Sequence, residues 1–200
     1  MGIIFLTSTG LSDQNVYNKF KEIVDSRNFK KAVIITTAAS GKENNQYSQS
    51  ALSQLKSIGF KMVVFYDFEN DSKKDLSIYD VIYVCGGNTF KLMKFAKDFD
   101  FDKEIKSLLK RGGAYIGVSA GSLIIGPSIK IAEEINPDTN EVGLTDFNGF
   151  NIIDIITFPH YTPEFEKDIK SFEDRNNIRI ERINNSQAIF IKNGERIFIK

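Results

Sequence analysis

The sequence predicts an α/β fold, a three-layer, doubly wound arrangement around a mostly parallel sheet. Short runs of Ile, Val and Phe alternate along the chain with amphipathic helical patterns. These runs are continuously apolar, as strands covered by helices on both faces require. The 200 residues, 42% of them hydrophobic, suffice for one sizeable core. We therefore expect one domain over residues 1–200, without internal repeats or linkers.

The first half of the chain shows the clearest alternation of strands and helices. Val16, Phe20, Ile23 and Val24 share one helical face, and Gly59 is placed to cap the second helix at its C-terminus. The predicted strands are residues 2–7, 31–37, 62–66, 81–85 and 114–118, and the predicted helices are residues 12–26, 45–58, a segment from about residue 89, and residues 100–111. This alternation is what predicts a parallel sheet.

The pattern becomes less regular after residue 127. Thr162 is placed to cap a helix that runs through Arg175, and Asn193-Gly194 between two apolar runs indicates a hairpin turn. The predicted elements are a short strand over 128–132, a loop over 133–151, a strand over 152–158, and three strands over 178–183, 188–191 and 196–199.

The charges of the chain are balanced, with 26 Lys and Arg against 26 Asp and Glu. Such a surface has no overall field to attract nucleic acid or an anionic membrane, so we expect neither as a partner. Cys85 is the only cysteine, and the apolar residues 3–6 are too few for a signal peptide. We expect a cytoplasmic protein, as a monomer or a homodimer.

The most informative stretch is residues 117–121, which spell G-x-S-x-G. The apolar residues before Ser119 predict a strand, and those after it predict the start of a helix. Ser119 is therefore expected at the apex of a nucleophile elbow, a strained turn that lifts the hydroxyl clear of the sheet. Gly117 and Gly121 allow the strand and the helix to cross closely.

His160 is the only histidine, and it follows the C-terminal end of a predicted strand, as Ser119 does. In parallel α/β sheets the C-terminal strand ends form the ligand-binding edge, so we expect both residues in one crevice. A serine hydroxyl needs a base within hydrogen-bond reach, and histidine is the usual one. A structural role is the common one for a lone histidine, but the elbow serine favours His160 as a catalytic base.

A glycine turn at Cys85-Gly86-Gly87-Asn88-Thr89 forms a second site element. Its backbone N–H groups, with that of Ala120, are placed to form an oxyanion hole. Two alternatives stay open: a tight turn capped by Asn88 or Thr89, and a phosphate cradle, for which a Walker lysine is missing. Cys85 itself is expected to pack as a small buried apolar residue.

The motifs YVCGGNTFKLM (83–93), GVSAGSLIIGPSI (117–129) and FPHYT (158–162) together resemble the aspartyl dipeptidase (peptidase E) and cyanophycinase family of serine peptidases. The resemblance covers essentially the whole chain. It implies a fold like class I glutamine amidotransferases, with flavodoxin-like layering. It also implies Ser119 as nucleophile, His160 as general base and acid, and Gly87 and Ala120 as oxyanion donors. Within these motifs, Asn88 and Thr162 are the predicted substrate-binding residues.

The third member of the triad departs from the family pattern. Asn185 stands where the family usually has an acidic residue. An amide can accept the imidazole N–H and fix its tautomer, but it cannot stabilise the imidazolium by charge. Glu134, or its neighbour Glu133, is the alternative orienting residue, and a solvated loop charge is the competing interpretation for both.

The predicted function is hydrolysis of short peptides through an acyl-enzyme, without a cofactor and, with one histidine and one cysteine, without a metal site. The family resemblance implies substrates with an N-terminal aspartyl residue, whose carboxylate would need a cation such as Arg175, Lys167 or Lys170. Two alternatives stay open. One is a catalytically weakened member that binds small ligands, and the other is an esterase with the same elbow.

Overall fold

The computed structural model describes residues 2–200, which form nine strands and seven α-helices. The strands are β1 (Ile3–Thr7), β2 (Lys31–Ile35), β3 (Met62–Tyr66), β4 (Val81–Val84), β5 (Ala114–Val118), β6 (Ile156–Phe158), β7 (Ile180–Arg182), β8 (Ala188–Lys192) and β9 (Glu195–Ile199). The helices are α1 (Gln14–Arg27), α2 (Gln46–Ile58), α3 (Thr89–Asp98), α4 (Phe101–Lys110), α5 (Ala120–Leu123), α6 (Ile131–Glu134) and α7 (Glu166–Asn176), with 3-10 turns at Lys42–Asn44 and Pro163–Phe165.

Seven strands form the main sheet, in the order β3-β2-β4-β5-β1-β8-β9. The first five strands of the chain are parallel, and β8 and β9 are antiparallel to their neighbours. The C-terminal ends of the parallel strands therefore meet at one edge, where Thr7 of β1 pairs in register with Val118 of β5. Strands β6 and β7 form a separate parallel pair.

The core lies on both faces of the main sheet. In β1, Ile4 and Leu6 join one buried cluster, and Ile3 and Phe5 join the other. Helices α1 and α2 contribute to the cluster of Ile3 and Phe5, and α3, α4 and α7 contribute to the opposite one. Because successive side chains of a strand point to opposite faces, this division confirms the predicted three-layer α/β fold.

Several helix ends follow the local signals in the sequence. Asp13 caps α1 by accepting backbone N–H groups through its side chain. Asn45 does the same for α2, which ends at Gly59 in the left-handed conformation, with φ 115°. Thr162 differs from its prediction, because its hydroxyl donates to Glu164 and the helix begins with a 3-10 turn.

The segment between the elbow and β6 differs most from its predicted strands. The predicted strand over 128–132 is wrong, since only the bridge Ser128↔Asn148 forms there and helix α6 begins at Ile131. Only the last three residues of the predicted strand 152–158 pair as β6. Ile152 and Ile153 instead donate backbone N–H groups to the Ile125 carbonyl, which holds this stretch against the chain after α5. Tertiary contacts, not periodicity, decide its conformation.

None of the helices within residues 2–200 has the length and apolar character that crossing a membrane requires.

Candidate active site

Ser119 lies at a sharp turn between β5 and α5. Its backbone has φ 49° and ψ −109°, a conformation that residues with a Cβ rarely adopt. The Ser119 N–H donates to the Thr7 carbonyl at 2.9 Å, and its carbonyl accepts from Ser122 N at 2.8 Å. A Cβ on Gly117 would lie 2.4 Å from the Gly121 carbonyl oxygen, so the crossing needs a glycine there. This is the geometry of a nucleophile elbow.

The glycine turn after β4 lies directly against the elbow. A Cβ on Gly86 would lie 3.0 Å from Ser119 Cβ. Gly87 has φ 132°, and a Cβ there would lie 2.0 Å from the Ala38 carbonyl oxygen. Close backbone approach and a positive φ therefore require glycine at position 87, and Gly86 leaves little room for a side chain beside Ser119. The turn puts main-chain groups next to the serine. Ala120, the other predicted donor, is the fully buried first residue of α5.

His160 follows β6 at the end of the smaller sheet. Its backbone is left-handed, with φ 56°, and its N–H donates to Ser8 Oγ at 2.9 Å. The imidazole Nδ1 lies 2.7 Å from Asn185 Oδ1. Because an amide oxygen can only accept, this contact places the proton on Nδ1 and leaves Nε2 as the basic nitrogen. His160 and Asn185 are both solvent-exposed residues.

The residues at the end of β1 and just after it contact Ser119, His160 and Asn185 in turn. The Thr7 carbonyl accepts the Ser119 N–H, Ser8 Oγ accepts the His160 N–H, and Thr9 Oγ1 donates to the Asn185 carbonyl at 2.7 Å. Ser8 is buried, and its hydroxyl also donates to the Ile183 carbonyl at 2.8 Å. We call residues 7–9 the β1 strip. It sets the relative positions of chain segments that are far apart in the sequence.

Ser119, His160 and Asn185 line one cleft of about 790 Å³ at the C-terminal edge of the main sheet. Its lining residues are Ser8, Thr9, Ser12, Asp13, Ala39, Ser40, Asn45, Tyr47, Ser48, Ser50, Gln54, Tyr83, Cys85, Gly86, Gly87, Val118, Ser119, His160 and Asn185. Within residues 2–200, Ser119 Oγ and the imidazole share this space without a direct hydrogen bond. Such contacts are often long before substrate binds.

Glu134 lies apart from the imidazole. Its carboxylate pairs with Arg175 and lies 3.6 Å from Lys130, and it is absent from the cleft lining. Glu133 is an exposed residue of α6 that does not line the cleft either. The residue that the structure puts against His160 is therefore Asn185, and Glu134 has a different set of partners.

The two predicted substrate-binding residues also lie outside the cleft lining. Asn88 caps α3 by accepting from Lys91 N, and it donates to the Thr139 carbonyl at 2.7 Å. Thr162 is exposed and bonded to Glu164. Both side chains thus have local structural partners, which agrees with the capping alternative for Asn88.

Cys85 lines the cleft, but its thiol is poorly suited to nucleophilic chemistry. The residue is buried, and Sγ lies 3.6 Å from Ser48 Oγ. Burial raises the pKa of the Cys85 thiol to about 11, so it is protonated at neutral pH. Among residues 2–200, no group of three or more His, Cys, Asp or Glu side chains is arranged to hold a metal ion.

Sequence reasoning missed Ser8, Thr9 and Asp13 as parts of the site. A usable signal was present, because residues that follow a parallel strand belong to the ligand-binding edge. Ser8 and Thr9 follow β1 directly, and Asp13 is the N-cap of the next helix, α1. The same rule that selected Ser119 and His160 would have selected them.

The elbow serine, an imidazole with an orienting amide, and glycine main chain in one cleft of an α/β fold are the features of a serine-type hydrolase. The chain belongs to peptidase family S51, whose model matches residues 4–200. The protein is thus a serine-type peptidase, and its resemblance to the peptidase E group is confirmed.

Individual relatives agree with this assignment. An uncharacterized peptidase of Listeria monocytogenes is 32% identical, over 97% of this chain and 96% of its own length. Peptidase E of Salmonella paratyphi A is 28% identical, over 66% of this chain and 55% of its own. The crystal structure of a candidate peptidase E protein from Listeria monocytogenes superposes with a TM-score of 0.80 at 30% identity, covering 99% of this chain and 98% of that one.

Proposed function

We propose that this peptidase hydrolyses short peptides through an acyl-enzyme, with Ser119 as nucleophile, His160 as general base and acid, and Asn185 as the residue that orients the imidazole. The observation that carries the proposal is the shared cleft, in which the elbow serine and the only histidine lie together and Nδ1 contacts Asn185 at 2.7 Å. No other pair of nucleophile and base in the described residues has both an elbow and an oriented imidazole.

The proposed reaction has two halves. Ser119 Oγ attacks the peptide carbonyl carbon and His160 Nε2 takes its proton. The backbone N–H groups of Gly87 and Ala120 stabilise the oxyanion. The tetrahedral intermediate then expels the amine, which receives the proton from the imidazolium. Water, activated by the same imidazole, hydrolyses the ester and frees Ser119.

Asn185 in place of a carboxylate lowers the expected rate without removing the mechanism. The amide keeps the imidazole in the productive tautomer, which is one of the two roles of the usual acid. It cannot supply the second role, charge stabilisation of the imidazolium. This observation also supports the second candidate function, a cleft that binds small ligands with little turnover.

Fluorophosphonate labelling tests the proposed nucleophile. The wild-type protein should be labelled, and Ser119→Ala should lose both labelling and peptide hydrolysis while keeping the same circular dichroism spectrum. Ser53→Ala is the matched control, because Ser53 is an exposed serine on α2 outside the cleft lining. Labelling that persists in Ser119→Ala would exclude Ser119 as the nucleophile.

A substrate panel separates the remaining functions. Peptide cleavage that requires Ser119 supports the peptidase, and ester cleavage alone supports the esterase. Saturable binding of peptides without cleavage supports the ligand-binding alternative.

We also propose a cytoplasmic location, which the balanced charges and the single buried cysteine support. Cell fractionation tests the location, and light scattering distinguishes a monomer from a homodimer.

A further inference from the structure

The side chains that line the active-site cleft carry almost no charge. Among residues 2–200, no lysine or arginine lines it, and its only carboxylate belongs to Asp13. Its other polar side chains are hydroxyls, amides, the Cys85 thiol and the His160 imidazole. The cleft therefore offers hydrogen bonds to a substrate but no fixed positive charge.

Asp13 is held in place at the start of α1. Its Oδ1 accepts the backbone N–H groups of Asn15 and Val16 at 2.8 and 3.2 Å. No lysine or arginine within residues 2–200 forms an ion pair with it. An anionic group that enters the cleft thus meets a fixed carboxylate whose charge no cation offsets.

The cations that the sequence suggested as partners for a substrate carboxylate lie elsewhere. Arg175 pairs with Glu134, and Lys170 lies 3.6 Å from Glu166. Lys167 is an exposed residue of α7. None of the three lines the cleft, so none is placed to receive an aspartyl side chain there.

Lys42, in the segment that follows β2, is also engaged away from the cleft. Its Nζ donates to the Thr37 carbonyl at 3.1 Å. It also forms ion pairs with Asp67 at 3.0 Å and Glu69 at 2.7 Å. These contacts satisfy the ammonium group, and Lys42 is not among the lining residues.

We propose that the cleft selects short peptides in which the residue whose carbonyl Ser119 attacks has an uncharged side chain. A carboxylate in this cleft loses hydration without gaining a cation, and Asp13 repels it. A neutral side chain of the same size loses less hydration free energy, and it can form hydrogen bonds with the hydroxyl and amide groups of the cleft. The aspartyl preference that the family resemblance implies does not extend to this chain. This inference rests on the proposed function of Ser119 and His160.

Two isosteric dipeptides test the inference. Asparaginyl-leucine and aspartyl-leucine differ in charge but hardly in size. We expect kcat/KM to favour asparaginyl-leucine by about 10-fold or more. Asp13→Asn keeps an oxygen acceptor for the α1 cap and removes the charge. This variant should raise the relative rate on aspartyl-leucine by about 5-fold.

Asp25→Asn is the matched control, because it removes one carboxylate from the same helix outside the cleft. It should leave the ratio of the two rates unchanged. Equal or faster cleavage of aspartyl-leucine by the wild-type protein would overturn the inference and leave the proposed peptidase function intact. Failure to cleave any peptide would overturn the proposed function and the inference together. An unchanged ratio in Asp13→Asn would contradict the role given to Asp13.

Discussion

Restoring a carboxylate behind the imidazole is the sharpest test of the catalytic site. In Asn185→Asp, the new side chain occupies the position that now lies 2.7 Å from His160 Nδ1. The Thr9 hydroxyl holds the carbonyl of residue 185, so the loop should keep its place. The change therefore places a negative charge beside an imidazole that already has its productive tautomer.

The size of the effect follows from the geometry. Charge centres about 4 Å apart attract by about 1 kcal/mol in water and about 4 kcal/mol at an effective dielectric constant of about 20. His160 and Asn185 are both exposed, so the lower part of this range applies. A stabilisation of about 1–2 kcal/mol of the imidazolium in the transition state raises kcat about 5- to 30-fold. An aspartate in a complete triad has a larger effect on kcat, because it also fixes the tautomer of the imidazole.

The assay is steady-state hydrolysis of asparaginyl-leucine across a range of pH. Besides a higher kcat, the acid limb of the profile should move to higher pH in Asn185→Asp, since the carboxylate favours the protonated imidazole. Asn184→Asp is the matched control, because the Asn184 side chain bonds to Ser186 and not to His160. An equal gain in both variants, or no gain in Asn185→Asp, would refute the proposed role of Asn185.

Two further predictions concern the scaffold of the site. Ser8→Ala removes the acceptor of the His160 N–H, so we expect kcat to fall about 10- to 100-fold with little change in KM. Ser8→Thr should restore most of the rate, and an unaltered kcat in Ser8→Ala would contradict a positioning role. Arg182→Gln breaks the partly buried pair with Glu173 and should lower the unfolding free energy by about 1–2 kcal/mol. Hydrogen bonding to Arg182 lowers the pKa of Glu173 below its ordinary 4.5, so this stability is present above about pH 4.5 and lost as pH falls through the lowered pKa. The unfolding free energies of the wild-type protein and Arg182→Gln, measured by denaturant titration, should therefore converge in acid. A difference between them that does not change with pH would contradict this linkage.

Local patterns in the sequence predicted most of the fold. Strands β3 and β5 have their predicted bounds, and the Asn193-Gly194 hairpin joins the antiparallel strands β8 and β9. Both strands are short apolar runs between clear helical patterns or turn signals. The G-x-S-x-G motif likewise predicted the turn at Ser119, because the close crossing needs small residues at fixed spacing.

Long-range contacts decided what the sequence pattern could not. Residues 128–132 and 152–155 fit a strand pattern, but they do not pair into either sheet. Residues 128–132 bond to residues 147–148, and Ile152 and Ile153 donate to the Ile125 carbonyl, just after α5. Periodicity describes which residues are buried, and it does not tell what they are buried against.

For the site, the sequence by itself determined the chemistry available: one elbow serine, one histidine, an amide in place of the acid, and a glycine turn. Only the tertiary structure decided the arrangement. It brought Asn185 to the imidazole, paired Glu134 with Arg175, and left the cleft without a lysine or arginine among residues 2–200. The reason is that these contacts join segments far apart in the chain, and the spacing of residues along the sequence does not tell which of those segments meet.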